Sequence, residues 1–156
     1  MRTIWIEDLQ EIEKIILQCA VCFVGVSDKK GHPYVLPMNF GYADNEIFLH
    51  SAQEGFMIDV LNENNNACIA FCTESKLKYQ HPDVACSYRM DSKSVICYGK
   101  IIFEENYEEK VKALDIIMRT YSEKNFRYSK PSVLNVKIWR MKIDKISAKA
   151  FGQPHG

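Results

Sequence analysis

Around position 50 the sequence changes period, and the residues able to do chemistry gather there. Ile47-Phe48-Leu49-His50 alternates as a strand, and Ser51 with Glu54 three positions later has the form of a capping box. Phe56, Met57, Val60 and Leu61 then recur at helical spacing. A strand that runs straight into a helix leaves the first backbone N–H groups without partners, here over Ser51, Ala52 and on to Gly55, and such a cluster suits a phosphate. Ser51 adds a hydroxyl to it or serves as the N-cap, and both roles can hold at once. His50, one residue ahead of the helix, lies beside any anion or ring that the helix holds. The alternative for His50 is a strand-end histidine bonded to a neighbouring loop.

Other chemistries lack their residues. No Gly-x-Gly-x-x-Gly follows a strand, which argues against a Rossmann dinucleotide site, and there is no Walker A lysine, Gly-x-Ser-x-Gly elbow or His-Glu-x-x-His. Cys19-Ala20-Val21-Cys22 lacks a second pair at zinc-ligand spacing, and it lacks the strand before and helix after it that thioredoxin chemistry needs. No metal site is expected. The chain has six cysteines. It is too long and too rich in core-forming residues to need a disulfide scaffold, and Cys68 and Cys72 share an alternating face with Ala70, which predicts reduced, buried thiols.

The elements that must position His50 and Ser51 follow from the patterning. Glu7 to Gln18 sets Leu9, Ile12, Ile15, Ile16 and Cys19 on one helical stripe. Ala20 to Ser27 reads as a strand and Asp28-Lys29-Lys30-Gly31 as a hairpin turn. His32 to Phe40 is the next strand, where Pro37 marks an unpaired or bulged position, and Ala43 to Glu46 turns the chain into the strand that ends at His50. Ala67 to Cys72 and Ser94 to Glu104 are further strands, the second with a bulge or close approach at Gly99. Thr73 to Asp83 and Ser122 to Ser132 read as loops. Asn106 with Glu109 caps a helix carrying Val111, Leu114, Met118 and Tyr121. Val133 to Ile146 is a long last strand whose apolar phase switches after Ile138, as when a strand bends around a barrel. About six strands and three helices, mostly adjacent in sequence, predict antiparallel pairing in an α+β fold with a small barrel. Apolar residues on both faces of the last strand point to a second buried surface, a dimer interface.

At 156 residues the chain is most simply one domain, able to bury about two-thirds of its unfolded surface. Twenty basic and twenty acidic residues give a formal charge of zero, with no basic face for nucleic acid. The N-terminus passes quickly into a charged amphipathic segment, and no apolar run approaches the roughly 20 residues that span a bilayer. A cytoplasmic protein without a membrane partner is expected.

Three blocks carry a resemblance: Gly31-His32-Pro33-Tyr34-Val35-Leu36-Pro37-Met38-Asn39-Phe40, Phe48 to Gly55 as Phe-x-His-Ser-Ala-x-x-Gly, and Ser94-Val95 followed by Gly99. In this order and spacing they resemble the pyridoxamine 5'-phosphate oxidase-like flavin-binding proteins, most of all the nitroimidazole-resistance (Nim) group, over roughly Ala20 to Lys149. The resemblance implies an antiparallel six-stranded split β-barrel with flanking helices, forming a homodimer with FMN between the subunits. Met38, Asn39 and Phe40 would run along the isoalloxazine, and Lys93, Ser94 and Val95 would meet its polar edge. Ser51, Ala52 and Gly55 would hold the phosphate, and His50 would contact the flavin and relay a proton to the substrate. Relatives place a lysine or arginine at the position of Phe56 or Met57. With both apolar here, either Lys93 or Arg140 supplies the charge, or affinity for FMN is lower, or the ligand is FAD. Trp139 and Arg140 match, weakly, a position that related oxidases bring across from the other subunit.

The implied activity is that of a flavin-dependent oxidoreductase, passing electrons from a nicotinamide or other small donor to a small acceptor such as a nitroimidazole or quinone. The rival expectation is a non-catalytic module that stores or senses flavin, or that binds haem through His50 or His81.

Overall fold

The structure, a computed structural model, describes residues 2–154. Its elements run β1 (Arg2–Ile6), α1 (Leu9–Gln18), β2 (Cys22–Ser27), β3 (Pro33–Met38), β4 (Gly41–Ala43), β5 (Glu46–Ala52), α2 (Phe56–Glu63), β6 (Asn66–Cys72) and β7 (Lys76–Lys78). After a single 3-10 turn at Ala85–Ser87 come β8 (Arg89–Glu104), α3 (Tyr107–Tyr121), α4 (Lys130–Asn135) and β9 (Val136–Gln153). The fold is α+β, and every strand pairing described is antiparallel. Among the described residues nine strands stand where about six were expected. β1 and β7 are short and largely exposed, so neither shows the alternation that marks a strand, and the three-residue β4 falls between the expected strand His32 to Phe40 and the expected turn, sharing Ala43 with it.

Connectivity makes the sheet curl. Its order is β3-β2-β6-β8-β9-β5-β4, with β1 paired to β9 and β7 to β8. The two ends of that path, β3 and β4, are separated in sequence only by Asn39 and Phe40. A sheet whose outer strands are joined by two residues must roll back on itself, and the seam between them is the split of the barrel. β3 lies at one edge of the path, with Pro37 in register with Phe23. Such an edge has an unpaired side on which proline costs no ladder bond, so Pro37 needs no bulge.

Side chains from β2, β5, β6, β8 and β9 fill the interior, where Val24, Phe40, Leu49, Phe71, Val95, Trp139 and Met141 are fully buried. Ile12, Ile15 and Ile16 of α1 and Met57, Ile58, Val60 and Leu61 of α2 join the same cluster. α1 starts at Leu9, two residues after the expected Glu7, because the Asp8 carboxylate accepts the Glu11 N–H at 3.3 Å, and α3 starts where expected because Asn106 accepts from Glu109 at 3.1 Å. The register of β8 on β9 shifts between Tyr98 and Gly99, the bulge that the glycine announced. α3 packs separately, with Ala113 and Ile117 against Phe48 and Ile138. A Cβ on Gly41 would lie 2.7 Å from the Ile117 nitrogen, so only glycine lets α3 come this close to β4. No helix among the described residues is long and apolar enough to cross a membrane.

Two further expectations differ from the structure. All six cysteines are free, but only Cys19, Cys22 and Cys97 are buried. β6 turns Ala67, Ile69 and Phe71 inward, leaving Cys68 half-buried and Cys72 exposed on its other face. The second concerns the loops. Val133 and Leu134 belong to α4, capped by Ser129, so the last strand begins at Val136 and runs on to Gln153.

Candidate functional site

Val21, Leu36, Pro37, Met38, Asn39, His50 and Ser51 line an open groove of about 350 Å³ at the barrel seam. One wall comes from the end of β3, the other from the end of β5. Apolar walls interrupted by an amide, an imidazole and a hydroxyl are what a planar aromatic ligand with a few polar edges requires.

The hydrogen bonds at Ser51 differ from the capping box. Ser51 and Ala52 still belong to β5, in register with Lys137 and Val136 of β9. The Ser51 hydroxyl accepts from the fully buried Trp139 indole, Nε1 to Oγ 2.9 Å, and donates to the Ala52 carbonyl at 2.8 Å. Gln53 is also committed, its Nε2 donating to the carbonyls of Leu134 at 3.0 Å and Val136 at 2.9 Å. The true N-cap of α2 is Gly55, with no side-chain cap bond. Its φ of 153° is a conformation that side chains rarely adopt, and a Cβ there would meet nothing within 4 Å. The uncapped amides therefore begin a turn later than expected, at the head of α2, and Gly55 is exposed there.

His50 keeps an exposed edge on the groove. The protein packed around the rest of the ring strips away water and holds its pKa below the ordinary 6.5, so the imidazole is uncharged at neutral pH.

The groove thus unites Met38, Asn39, His50 and Ser51, brings in Pro37, read in sequence only as a break in strand pairing, and adds Val21 and Leu36, which the sequence reading did not single out. The other expected residues lie elsewhere in this chain. Phe40 is wholly buried and meets the Phe71 ring edge-on at 4.8 Å; Met57 and Val95 are likewise in the core. Lys93 lies in a separate polar hollow of about 500 Å³ with Thr73, Lys76 and Asp91, and its Nζ pairs with Glu11 at 3.0 Å. Ser94 lines a third hollow, of about 370 Å³, with Trp5, Tyr98 and Lys149. Arg140 is held by Glu46 at 2.8 and 3.1 Å and by Glu104 at 2.9 Å. Neither Lys93 nor Arg140 is free to neutralise a phosphate in the groove of its own chain. Nor is the Cys-x-x-Cys poised for attack, since burial pushes the Cys22 thiol up to about 12.

Tyr121, the last residue of α3, escaped notice although it borders the site. Its Oη donates to the Ala20 carbonyl at 2.7 Å and accepts the Phe40 N–H at 3.0 Å. The only sign of it in the sequence was a tyrosine closing the apolar stripe of a helix.

Comparison with known proteins agrees with this architecture. The model of the pyridoxamine 5'-phosphate oxidase family matches residues 8–150. A candidate 5-nitroimidazole antibiotic resistance protein from Bacteroides thetaiotaomicron is 53% identical, over 96% of this chain and 88% of that one, with a TM-score of 0.88. An FAD and haem binding protein from Mycobacterium smegmatis superposes with a TM-score of 0.84 at 14% identity, over 97% of this chain and 76% of the other. The flavocytochrome Anf3 from Azotobacter vinelandii does so at 0.80 and 17%, over 96% and 70%. These last two share the fold alone. No curated protein matches. A rolled antiparallel sheet with an open seam, matched along nearly its whole length, makes this chain a member of the pyridoxamine 5'-phosphate oxidase family.

Proposed function

We propose that this protein is a flavin-dependent oxidoreductase that acts as a homodimer, takes electrons from a small donor such as a reduced nicotinamide, and passes them to a small acceptor of the nitroimidazole or quinone type. The observation that carries the proposal is the seam groove, where four apolar residues face Asn39, His50 and Ser51. The nitro-compound acceptor rests on the 53% identity to the Bacteroides protein.

The residues present fit the ring half of a flavin. The apolar wall suits an isoalloxazine, and FMN and FAD share that ring. For the phosphate, this chain offers the uncapped amides at the head of α2, with open space at Gly55. Lys93 and Arg140, the two basic residues considered for the phosphate, are paired with Glu11 and with Glu46 and Glu104 in this chain, which favours a countercharge from the second subunit or from solvent.

When bound, the flavin supplies the hydride and electron chemistry. Val21, Leu36 and Met38 exclude water from one side of the groove. His50, uncharged at neutral pH, has one ring nitrogen free to accept a proton while the other donates, which suits a relay between solvent and a substrate.

The absorption spectrum of the purified protein tests the reading. An oxidised-flavin spectrum that bleaches on anaerobic addition of NADPH and returns on addition of a nitroimidazole is the expected result. A flavin that no physiological donor reduces would mean a storage or sensing module, and a Soret band would mean haem.

A further inference from the structure

The hydrogen bonds behind the groove settle which way one of its polar groups points. Tyr121 Oη carries a single proton, and it lies 2.7 Å from the Ala20 carbonyl, which can only accept. That proton is therefore committed. Phe40 N–H donates to the same oxygen at 3.0 Å. The Asn39 side chain, 3.4 Å from Tyr121 Oη, then meets an oxygen that can only accept, so the facing atom is Nδ2. The same Nδ2 lies 3.4 Å from the Ala20 carbonyl, again an acceptor. The amide nitrogen is held at this node, one of its hydrogens shared between the two acceptors, and Oδ1 is turned away from it. Among the described residues Oδ1 has no hydrogen-bond partner, and Asn39 is exposed on the groove.

We infer that Tyr121 is a positioning residue: it locks the Asn39 amide with Oδ1 toward the groove, so that the groove selects a ring presenting an N–H donor at that point. The inference rests on the proposed flavin reading, and an oxidised isoalloxazine has one ring N–H, at N3. A carbonyl edge placed there would face the Asn39 oxygen and be repelled. Tyr121 can reach this node because Gly41 lets α3 lie against β4, and Tyr121 is one helical turn beyond Ile117, the residue that Gly41 touches.

Two measurements on the full chain test this. The first uses no ligand: hydrogen exchange of the Asn39 side-chain amide, followed by 15N NMR, should be slow in the native protein and about tenfold faster in Tyr121→Phe, which keeps the ring and loses the hydroxyl. Unchanged exchange would overturn the positioning role. The second titrates ligand-free protein with FMN and with 3-methyl-FMN, in which N3 has no hydrogen. The native protein should prefer FMN by about tenfold, the worth of one hydrogen bond, and Tyr121→Phe should bind the two almost equally. Equal affinities in the native protein, or a preference that survives in Tyr121→Phe, would overturn the selection of an N–H donor. If Tyr121→Phe fails to fold, Asn39→Leu removes the acceptor directly and should equalise the two flavins. Native protein that binds neither flavin would instead remove the functional reading, leaving the amide exchange to decide what Tyr121 does.

Discussion

At the scale of single residues, Ser51 shows how one hydroxyl can be claimed by a partner that local sequence does not reveal. Its oxygen satisfies the Trp139 indole, so Ser51→Ala leaves a buried donor without an acceptor and should cost about 1–3 kcal/mol. The check is the midpoint of chemical denaturation; an unchanged midpoint would mean the indole N–H finds another acceptor. His50 carries a prediction about pH. Burial lowers its folded pKa below 6.5, so the unfolded chain binds more protons than the native one as pH falls through that value. Stability contributed by the neutral ring is complete above 6.5 and declines below it, down to the folded pKa. His50→Gln should flatten this part of the stability profile, and the native His50 ring should titrate below 6.5 by NMR. A ring titrating at or above that value would contradict the burial argument. His50→Ala is expected to keep its flavin and lose turnover. Of the groove residues read in advance, His50 and Ser51 stand at a change of period, whereas Met38 and Asn39 were implied by the resemblance to the flavin-binding family. Ser51 was misread as a cap because Ser-x-x-Glu looks the same at the end of a strand, and nothing near it in sequence announces a tryptophan 88 positions away.

At the scale of elements, close approach and charge hold the site's scaffold together. Gly41→Ala pushes a methyl into the α3 backbone at Ile117, which cannot yield as a flexible side chain would. A loss of about 1–3 kcal/mol is expected, together with weaker flavin binding as Tyr121 is displaced from Phe40 and Asn39. Native-like stability and flavin content in that variant would show that α3 does not set the groove. Arg140 joins β5, β8 and β9 through Glu46 and Glu104 and lies over the Phe48 ring, its centroid 5.5 Å away. Burial works against ionisation of Glu104, yet the Asn106 amide and Arg140 together keep its carboxyl below the ordinary value. Arg140→Met leaves two half-buried carboxylates unpaired. It should destabilise by about 1–3 kcal/mol at pH 7, an effect that shrinks as pH falls and Glu104 is protonated. A variant as stable as the native protein at pH 7 would count against the network. The hairpin turn at Asp28 to Gly31, the Asn106 cap and the Gly99 bulge were legible because each is decided within a few residues. The short strands β1 and β7, and the helix α4, were not, since pairing and packing with distant segments create them.

At the scale of the whole molecule, the described surface leaves Trp5, Val35, Phe56 and Ile102 each about 60% exposed or more. Isolated apolar residues on a surface need no explanation, but large ones in this number are what an interface between subunits would cover. Light scattering should give twice the 18.1 kDa chain mass. The mass of one chain would contradict the homodimer and leave solvent to supply the phosphate's countercharge. The rolled sheet followed from strand order, and the seam from the two residues that join its ends, neither of which is a local property of the sequence.

The central claim is that the groove at the barrel seam, walled by the ends of β3 and β5, holds a flavin. Mass spectrometry of the small molecule released on denaturing the purified protein tests it most directly. The account predicts the mass of FMN or FAD, near one equivalent per chain. A haem, or no bound molecule from protein that also fails to take up added flavin, would contradict it.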